Sequence, residues 1–264
     1  VSLEAAAASG EPVARFQLAL QRLEAGARAD GVALLRRAAE QGVPEAMRRY
    51  GLMVARGEAG PANPQAGRDF VTAAAEAGNV QAMHDAGGLF INAEDLDGSA
   101  ETAAQWFQQG ALHGVRDSQF NMALLFQEGF GVTRSPADAY AWFLIAAAAG
   151  DGDAAQRAEA LRGQLTADQR AAAEQAARDF TPRQADPEAQ GDYPPQPWQT
   201  GVDQLIARTQ TLLSELGYDP GPADGVLGEQ TRRAVVNYQR AQGLQPGGPI
   251  NTGLIAQLEQ SAAD

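Results

Sequence analysis

Small and large apolar residues recur at helical spacing through the first 150 residues, and the whole pattern repeats every 36 residues. The period is marked by Gly42, Gly78, Gly114 and Gly150. Eight residues before these glycines stand Leu34, Phe70, Trp106 and Trp142. Small residues stand three and four positions before each glycine, and the small residues four positions after are Ala46, Ala82, Ser118 and Ala154. A fixed register of this length is typical of a repeat protein.

Each 36-residue unit is predicted to fold as a pair of helices. Ala-rich runs with apolar residues at i, i+3 and i+4 favour helix, and their small side chains allow close helix packing. We expect the bulky residue of each unit to fill the core and each period glycine to end the second helix in a left-handed cap. Pro64 and Pro136 are expected near the starts of second helices. One helix pair cannot bury its own apolar face, so the pairs must stack into an all-α solenoid.

The clearest unit resembles the Sel1-like repeat, a relative of the tetratricopeptide repeat. This resemblance is carried by QEGFGV at 127–132 and AYAWFLIAAAAG at 139–150, and it extends over residues 10–152. The preceding unit departs from the pattern, because residues 88–106 lack the usual glycine-rich loop. Residues 153–180 are more polar and are expected to form a capping helix pair, so that the solenoid spans residues 1–180.

Residues 181–200 form a predicted linker, TPRQADPEAQGDYPPQPWQT, with five prolines and no apolar period. Such a composition is typical of a semi-extended connection. Trp198 is out of place in a free linker, and we expect it to dock on a neighbouring domain in preference to binding a ligand.

A second domain is predicted over residues 201–264, with three helices and a small apolar core. It closely resembles the peptidoglycan-binding domain of cell-wall amidases and carboxypeptidases. The match includes LGY at 216–218 and the signature formed by Asp224, Gly225, Gly228 and Thr231, although Leu254 replaces the usual Thr. We expect this signature to be mostly structural, with glycines in a tight turn and Thr231 or Asp224 capping a helix.

The resemblance implies peptidoglycan as the partner of this domain. Because Arg pairs with carboxylates and Tyr can lie against sugar or peptide, exposed polar and aromatic residues near the signature are candidates. The candidate peptidoglycan-binding residues are Tyr218, Asp219, Asp224, Gln230, Arg232, Arg233 and Asn237.

In the repeats, Arg48, His84 and Phe120 occupy equivalent positions, and with Asn121 they are the candidate partner-binding residues of a concave face. Acidic residues prevail between Arg68 and Arg116, either as a patch for a basic partner or, as we favour, as a solvated face. The NAEDLDG run at 92–98 lacks the closing Glu of a calcium loop. His113 precedes a capping glycine and is interpreted as structural.

Composition bears on which chemistries are possible. Among the 264 residues there are no Cys or Lys and only two His, and the net charge is −13. This argues against Cys-based metal sites, nucleophile–base pairs and nucleic-acid binding. We therefore predict no catalytic residue, no metal and no cofactor. No run is apolar enough to span a membrane, and no secretion signal is present. The start at Val1 indicates a fragment of a longer parent.

The two modules in this order are similar to the periplasmic part of PodJ-type polar-organelle localisation factors. The runs QAMHDAG at 81–87, RDSQFNMALLFQEGFGV at 116–132 and AYAWFLIAAAAGD at 139–151 carry that similarity. It implies a single-span parent and a periplasmic adaptor at a cell pole, which binds peptidoglycan and an unidentified periplasmic or membrane protein. Two alternatives stay open: a cell-wall hydrolase or its activator, and an exported Sel1-type protein that binds a host receptor.

Overall fold

The computed structural model describes residues 2–91, 100–223 and 225–263. All the regular structure in these residues is helical, in agreement with the predicted fold class. The chain divides into two compact units. One holds residues 12–193, and the other holds residues 194–264 together with the N-terminal residues as far as Glu11.

The unit of residues 12–193 is a row of helix pairs. Its helices are α2 (Pro12–Glu24), α3 (Arg28–Glu40), α4 (Pro44–Arg56), α5 (Pro64–Glu76), α6 (Val80–Ile91), α7 (Ala100–Leu112), α8 (Arg116–Glu128), α9 (Pro136–Ala148), α10 (Gly152–Arg162) and α11 (Ala167–Asp179). Each helix contacts the next along the chain from α2 to α10, and α11 packs back on α9. A 3₁₀ helix, Glu188–Gln190, follows and contacts α4.

The second unit contains α1 (Leu3–Ser9), α12 (Pro197–Glu215), α13 (Glu229–Ala241) and α14 (Thr252–Ala263). Helices α12, α13 and α14 surround a core of Leu212, Leu213, Tyr238 and Leu258. Helix α12 begins inside the predicted linker, and Trp198 in its first turn is only 5% exposed.

The period glycines end the second helices as predicted. Their φ angles are +85°, +91°, +86° and +94° for Gly42, Gly78, Gly114 and Gly150. In the first unit the amide of Gly42 donates to the carbonyl of Ala39 (3.0 Å) and that of Val43 donates to Ala38 (3.1 Å). The same bond pair recurs after each glycine, which is the Schellman arrangement that satisfies the last free carbonyls of a helix. Pro64 and Pro136 are the first residues of α5 and α9.

The bulky residue predicted to fill each core is only partly buried, so that expectation was wrong by one position. Leu34, Phe70, Trp106 and Trp142 lie at the margin of the core clusters. The fully buried residues are their immediate successors, Leu35, Val71, Phe107 and Phe143, which are at most 2% exposed. A step of one residue turns a side chain by about 100° around a helix, which is enough to move it from the core to its margin.

Small residues hold the helices close, as predicted. Ala46, Ala82, Ser118 and Ala154 are completely buried. Helices α4 and α5 approach closely, because a Cβ added to Gly51 would lie 2.8 Å from the carbonyl oxygen of Gly67. Larger residues at these positions would force the two helices apart.

Candidate functional site

Helix α13 of the second unit presents a polar groove of about 390 Å³. The buried residues Thr231, Ala234, Val235 and Tyr238 face the core, which leaves the opposite stripe of the helix in solvent. The groove is lined by Glu229, Arg232, Arg233, Val236, Asn237 and Arg240. The structure therefore brings together three of the predicted peptidoglycan-binding residues, Arg232, Arg233 and Asn237.

An apolar pocket of about 350 Å³ lies beside this groove. Its wall is formed by Leu227, Val235, Val236, Gly247, Gly248, Pro249 and Ile250, and Arg232 lines both cavities. No local sequence pattern marks this pocket, because its residues come from α13 and two separate loops. One guanidinium between an apolar pocket and a polar groove suits a ligand with a carboxylate next to an aliphatic group.

Tyr218, Asp219 and Gln230 line neither cavity. Tyr218 is half-buried, with its ring edge-on to Tyr238 at a centroid distance of 5.8 Å. Asp219 Oδ1 accepts a long bond from the amide of Gly221 (3.4 Å), and the Gln230 side chain lies near the same glycine. Asp224 lies outside the described residues.

Two signature residues, Gly225 and Thr231, are buried and are linked to each other through the Gln210 side chain, which suits a structural role. The Thr231 hydroxyl donates to the carbonyl of Pro220 (2.8 Å) and accepts from Gln210 Nε2 (3.1 Å). Gln210 Oε1 in turn accepts from the amide of Gly225 (3.0 Å), whose φ of +76° requires glycine. The expected cap by Thr231 is wrong, because the N-cap of α13 is Gly228 without a side-chain bond. Thr231 ties the loop to the helix instead.

In the repeats, the predicted partner-binding residues are engaged between neighbouring first helices. Arg48 Nη1 on α4 donates to Asp85 Oδ2 on α6 (2.9 Å). His84 Nδ1 on α6 lies 3.0 Å from Ser118 Oγ on α8. Phe120 on α8 lies beneath the Arg157 guanidinium at 5.5 Å. Asn121, one residue on, is half-buried. Arg48, His84 and Phe120 thus contact the next helix pair, so a partner would meet only their partly exposed edges.

Glu45 anchors the first of these connections and is 6% exposed. It accepts from Arg48 (2.9 Å), from Arg49 Nε (2.6 Å) and from Asn79 Nδ2 (2.9 Å). Burial alone raises the pKa of this carboxyl, but the hydrogen bonds and charges of Arg48 and Arg49 outweigh it and lower the pKa below its usual range. The same hydrogen bond favours the charged guanidinium, so it raises the pKa of Arg48.

Two of the acidic residues between Arg68 and Arg116 have side-chain partners within the repeats. Asp85 is paired with Arg48, and Asp69 accepts from Gln65 (2.7 Å). Glu94, Asp95, Asp97 and the rest of the run at 92–98 lie outside the described residues. His113 has a buried Nδ1 with no hydrogen-bond partner in the described part of the chain.

Residues 182–193, here called the strap, run back along the solenoid from the end of α7 to α2. The amide of Arg183 donates to the carbonyl of Leu112 (2.9 Å). Gln190 bridges the α5–α6 turn: its Nε2 donates to Gly78 O (2.9 Å) and its Oε1 accepts from Val80 N (2.9 Å). Although this segment has the composition of a linker, the structure packs it on the repeats.

Asn79 and Tyr193 hold the far end of the strap. Asn79, 1% exposed, donates to the carbonyl of Ala189 (2.7 Å) while its Oδ1 caps α6 at Ala82 N (2.8 Å). Tyr193 packs edge-on against Phe16 of α2, with ring centroids 6.3 Å apart. Burial, with the nearby charges of Glu45 and Glu188, raises the pKa of Tyr193 to about 12.

No helix in the described residues is long and apolar enough to cross a membrane. No group of three or more acidic or histidine side chains in that part of the chain is arranged to hold a metal ion.

Comparison with known families accounts for the repeating helix pairs. The Sel1 repeat model matches residues 13–43, 44–79, 80–115 and 116–151. The chain belongs to the Sel1 repeat family. The four matched Sel1 repeats correspond to α2–α3, α4–α5, α6–α7 and α8–α9. Residues 203–258 match the family described as "Putative peptidoglycan binding domain".

Among curated proteins, this Sel1 repeat protein is similar to localization factor PodJL of two Caulobacter vibrioides strains. The identity is 37% over 116 residues, which is 44% of this chain and 12% of the relative. The chain thus matches only a small part of that relative's length.

Two solved structures share the Sel1 repeat fold. A Sel1 repeat protein from Oxalobacter formigenes has a TM-score of 0.55 and 22% identity, and the match covers 67% of this chain and 76% of the other. A protective antigen of uropathogenic Escherichia coli strains has a TM-score of 0.58 and 21% identity, with 99% of this chain and 55% of the other covered. At these identities the likeness concerns the fold alone.

Proposed function

We propose that this chain is a non-enzymatic adaptor of the bacterial cell envelope. In this proposal residues 201–264 bind peptidoglycan and the Sel1 repeats bind a protein partner. The similarity to localization factor PodJL supports a place in the periplasm at a cell pole, within a scaffold for polar organelles such as pilus, holdfast and stalk. Linking the two modules raises the avidity for a site that offers both targets.

The α13 groove carries the wall-binding half of the proposal. Its guanidiniums can pair with the carboxylates of peptidoglycan stem peptides, and the adjoining apolar pocket suits the methyl groups of their alanines. Arg232 belongs to both cavities, so it is the residue on which binding should depend most.

Retention on purified sacculi tests this function. Arg232→Gln should weaken retention about tenfold, since a hydrogen bond to a charged group contributes about 1.5–3 kcal/mol and 1.4 kcal/mol is a factor of ten. Arg208→Gln is the matched control, because Arg208 is exposed on α12 and pairs with Glu259 (3.0 Å) away from both cavities. Equal retention of the two variants would refute the assigned site. Release of soluble muropeptides by the purified chain would refute the non-enzymatic role.

A further inference from the structure

A groove of about 820 Å³ lies between the first and second Sel1 repeats, and it has more than twice the volume of the pocket beside α13. Helix α3 forms its long wall, and Tyr50 of α4 and residues 58–59 of the following loop close the other side. Small residues, Ala29 and Ala33, line α3 there, so an extended chain can lie close to the helix backbone. Three guanidiniums border this space, those of Arg28, Arg36 and Arg37. We refer to it as the arginine groove.

Comparison among the repeats shows that stacking does not need these charges. Every later repeat carries an uncharged residue at each of the three positions. The equivalents of Arg28 are Pro64, Ala100 and Pro136; those of Arg36 are Thr72, Gln108 and Leu144; and those of Arg37 are Ala73, Gln109 and Ile145. Because the same helix pair forms with neutral residues there, the three arginines of the first repeat require an explanation other than the fold.

The groove already holds carboxylates in weak and exposed pairs. Arg36 Nε binds Glu40 Oε1 at 2.7 Å, and Arg28 Nη2 binds Glu58 Oε2 at 3.4 Å. All four side chains are 42–61% exposed, and exposed ion pairs of this kind contribute little to stability. Arg37 makes no ion pair within the described residues. An incoming carboxylate can therefore replace Glu40 or Glu58 at little cost, in a fork geometry that guanidinium favours.

We propose that the arginine groove binds an acidic, extended peptide segment of a protein partner. Its carboxylates pair with Arg28, Arg36 and Arg37, and an aliphatic side chain between them lies over Ala29 and Ala33. A second copy of the chain is the alternative occupant, and the sedimentation experiment below tests for it. A nucleic acid fits less well, since three arginines against two carboxylates leave too few cations to neutralise a phosphate backbone.

This proposal rests on the proposed partner-binding role of the Sel1 repeats, and it assigns that role a surface and a chemistry. The probe is a fluorescein-labelled peptide that alternates Glu and Leu, titrated with the full chain at low salt and followed by fluorescence anisotropy. The test variant is Arg36→Gln with Arg37→Gln. The matched control is Arg162→Gln with Arg178→Gln, which removes the same charge from exposed positions on α10 and α11.

We expect the peptide to bind the unaltered chain and the control alike, and the test variant to bind at least about tenfold more weakly. Equal binding by the two double variants, or no binding by the unaltered chain, overturns the proposal. Two other outcomes also overturn the proposal. One is that sedimentation shows dimers of the unaltered chain that the test variant does not form. The other is that single-stranded DNA binds more tightly than the peptide and loses this binding in the test variant. Retention on sacculi depends on Arg232 and not on this groove, so failure of wall binding is distinguishable from failure here.

Discussion

Asn79 is the residue whose replacement should reveal most about the strap. It caps α6, supports Glu45 and binds the strap carbonyl of Ala189, all from a position that is 1% exposed. The neighbouring repeats carry Val43 and Val115 at the equivalent position, both buried. Asn79→Val therefore keeps a residue that this turn accommodates and removes only the polar contacts.

The magnitude follows from the lost bonds. Loss of the side-chain cap costs about 1 kcal/mol. Leaving the carbonyl of Ala189 without its donor costs about 1–3 kcal/mol, because Ala189 is only 4% exposed. Glu45 keeps its bonds to Arg48 and Arg49, so its charge is still compensated. The total of about 2–4 kcal/mol corresponds to a fall of about 4–16 °C in the melting temperature of a unit of this size.

Calorimetry of the full chain measures the fall, and hydrogen exchange of residues 189–191 reports on the strap. Gln184→Ala is the control, since Gln184 is an exposed strap residue and should change neither quantity. A melting temperature within about 1 °C of the unaltered chain, with unchanged exchange at the strap, would contradict the role assigned to Asn79.

Two further predictions concern the core and the strap. Phe143→Ala should lower the free energy of unfolding by about 3–5 kcal/mol, because the ring is completely buried and its removal leaves a cavity. Trp106→Ala should lower it by less, and urea denaturation of both variants checks this order. The strap should loosen between about pH 10 and 12, since Tyr193 ionises in the released strap at its ordinary pKa but in the docked strap only near 12. Below pH 10 Tyr193 is neutral in both the docked and the released strap, so no change is expected there. The measurement is hydrogen exchange of residues 189–191 as a function of pH. Tyr193→Phe is the control and should lack the effect.

The repeat register could be predicted from the sequence because each repeat has to satisfy the same local demands. A left-handed cap requires glycine, and close helix contact requires small residues, so Gly78 and Ala82 stand out in one chain. The core position was displaced by one residue, since Trp106 and Phe107 are both large and apolar. Only the rotation of the helix in its stack distinguishes them.

The strap could not be predicted, because its contacts join residues that are far apart in the sequence, 110 positions in the case of Asn79 and Ala189. Asn79 and Ala189 meet only after the helix pairs between them have stacked. Nothing local distinguishes Gln190, which bridges a turn, from Gln184, which is exposed. The α13 groove was predicted in part, since Arg232, Arg233 and Asn237 share one helix face. The surroundings of Tyr218 could not be predicted, because only the folded core shows that its ring packs on Tyr238 and is half-buried.

The direction of the strap determines how the solenoid responds to a pull on the chain beyond Tyr193. Such a pull is applied beside α2 and α4 of the first repeats and not at α11, where the helical row ends. The hydrogen bonds of Gln190 and Arg183 would then break one after another, as in peeling, before any helix is stretched. Twelve strap residues, fully extended, release about 40 Å of chain. Release of the strap therefore lengthens the connection between the repeats and the chain beyond Tyr193 while the repeats stay folded.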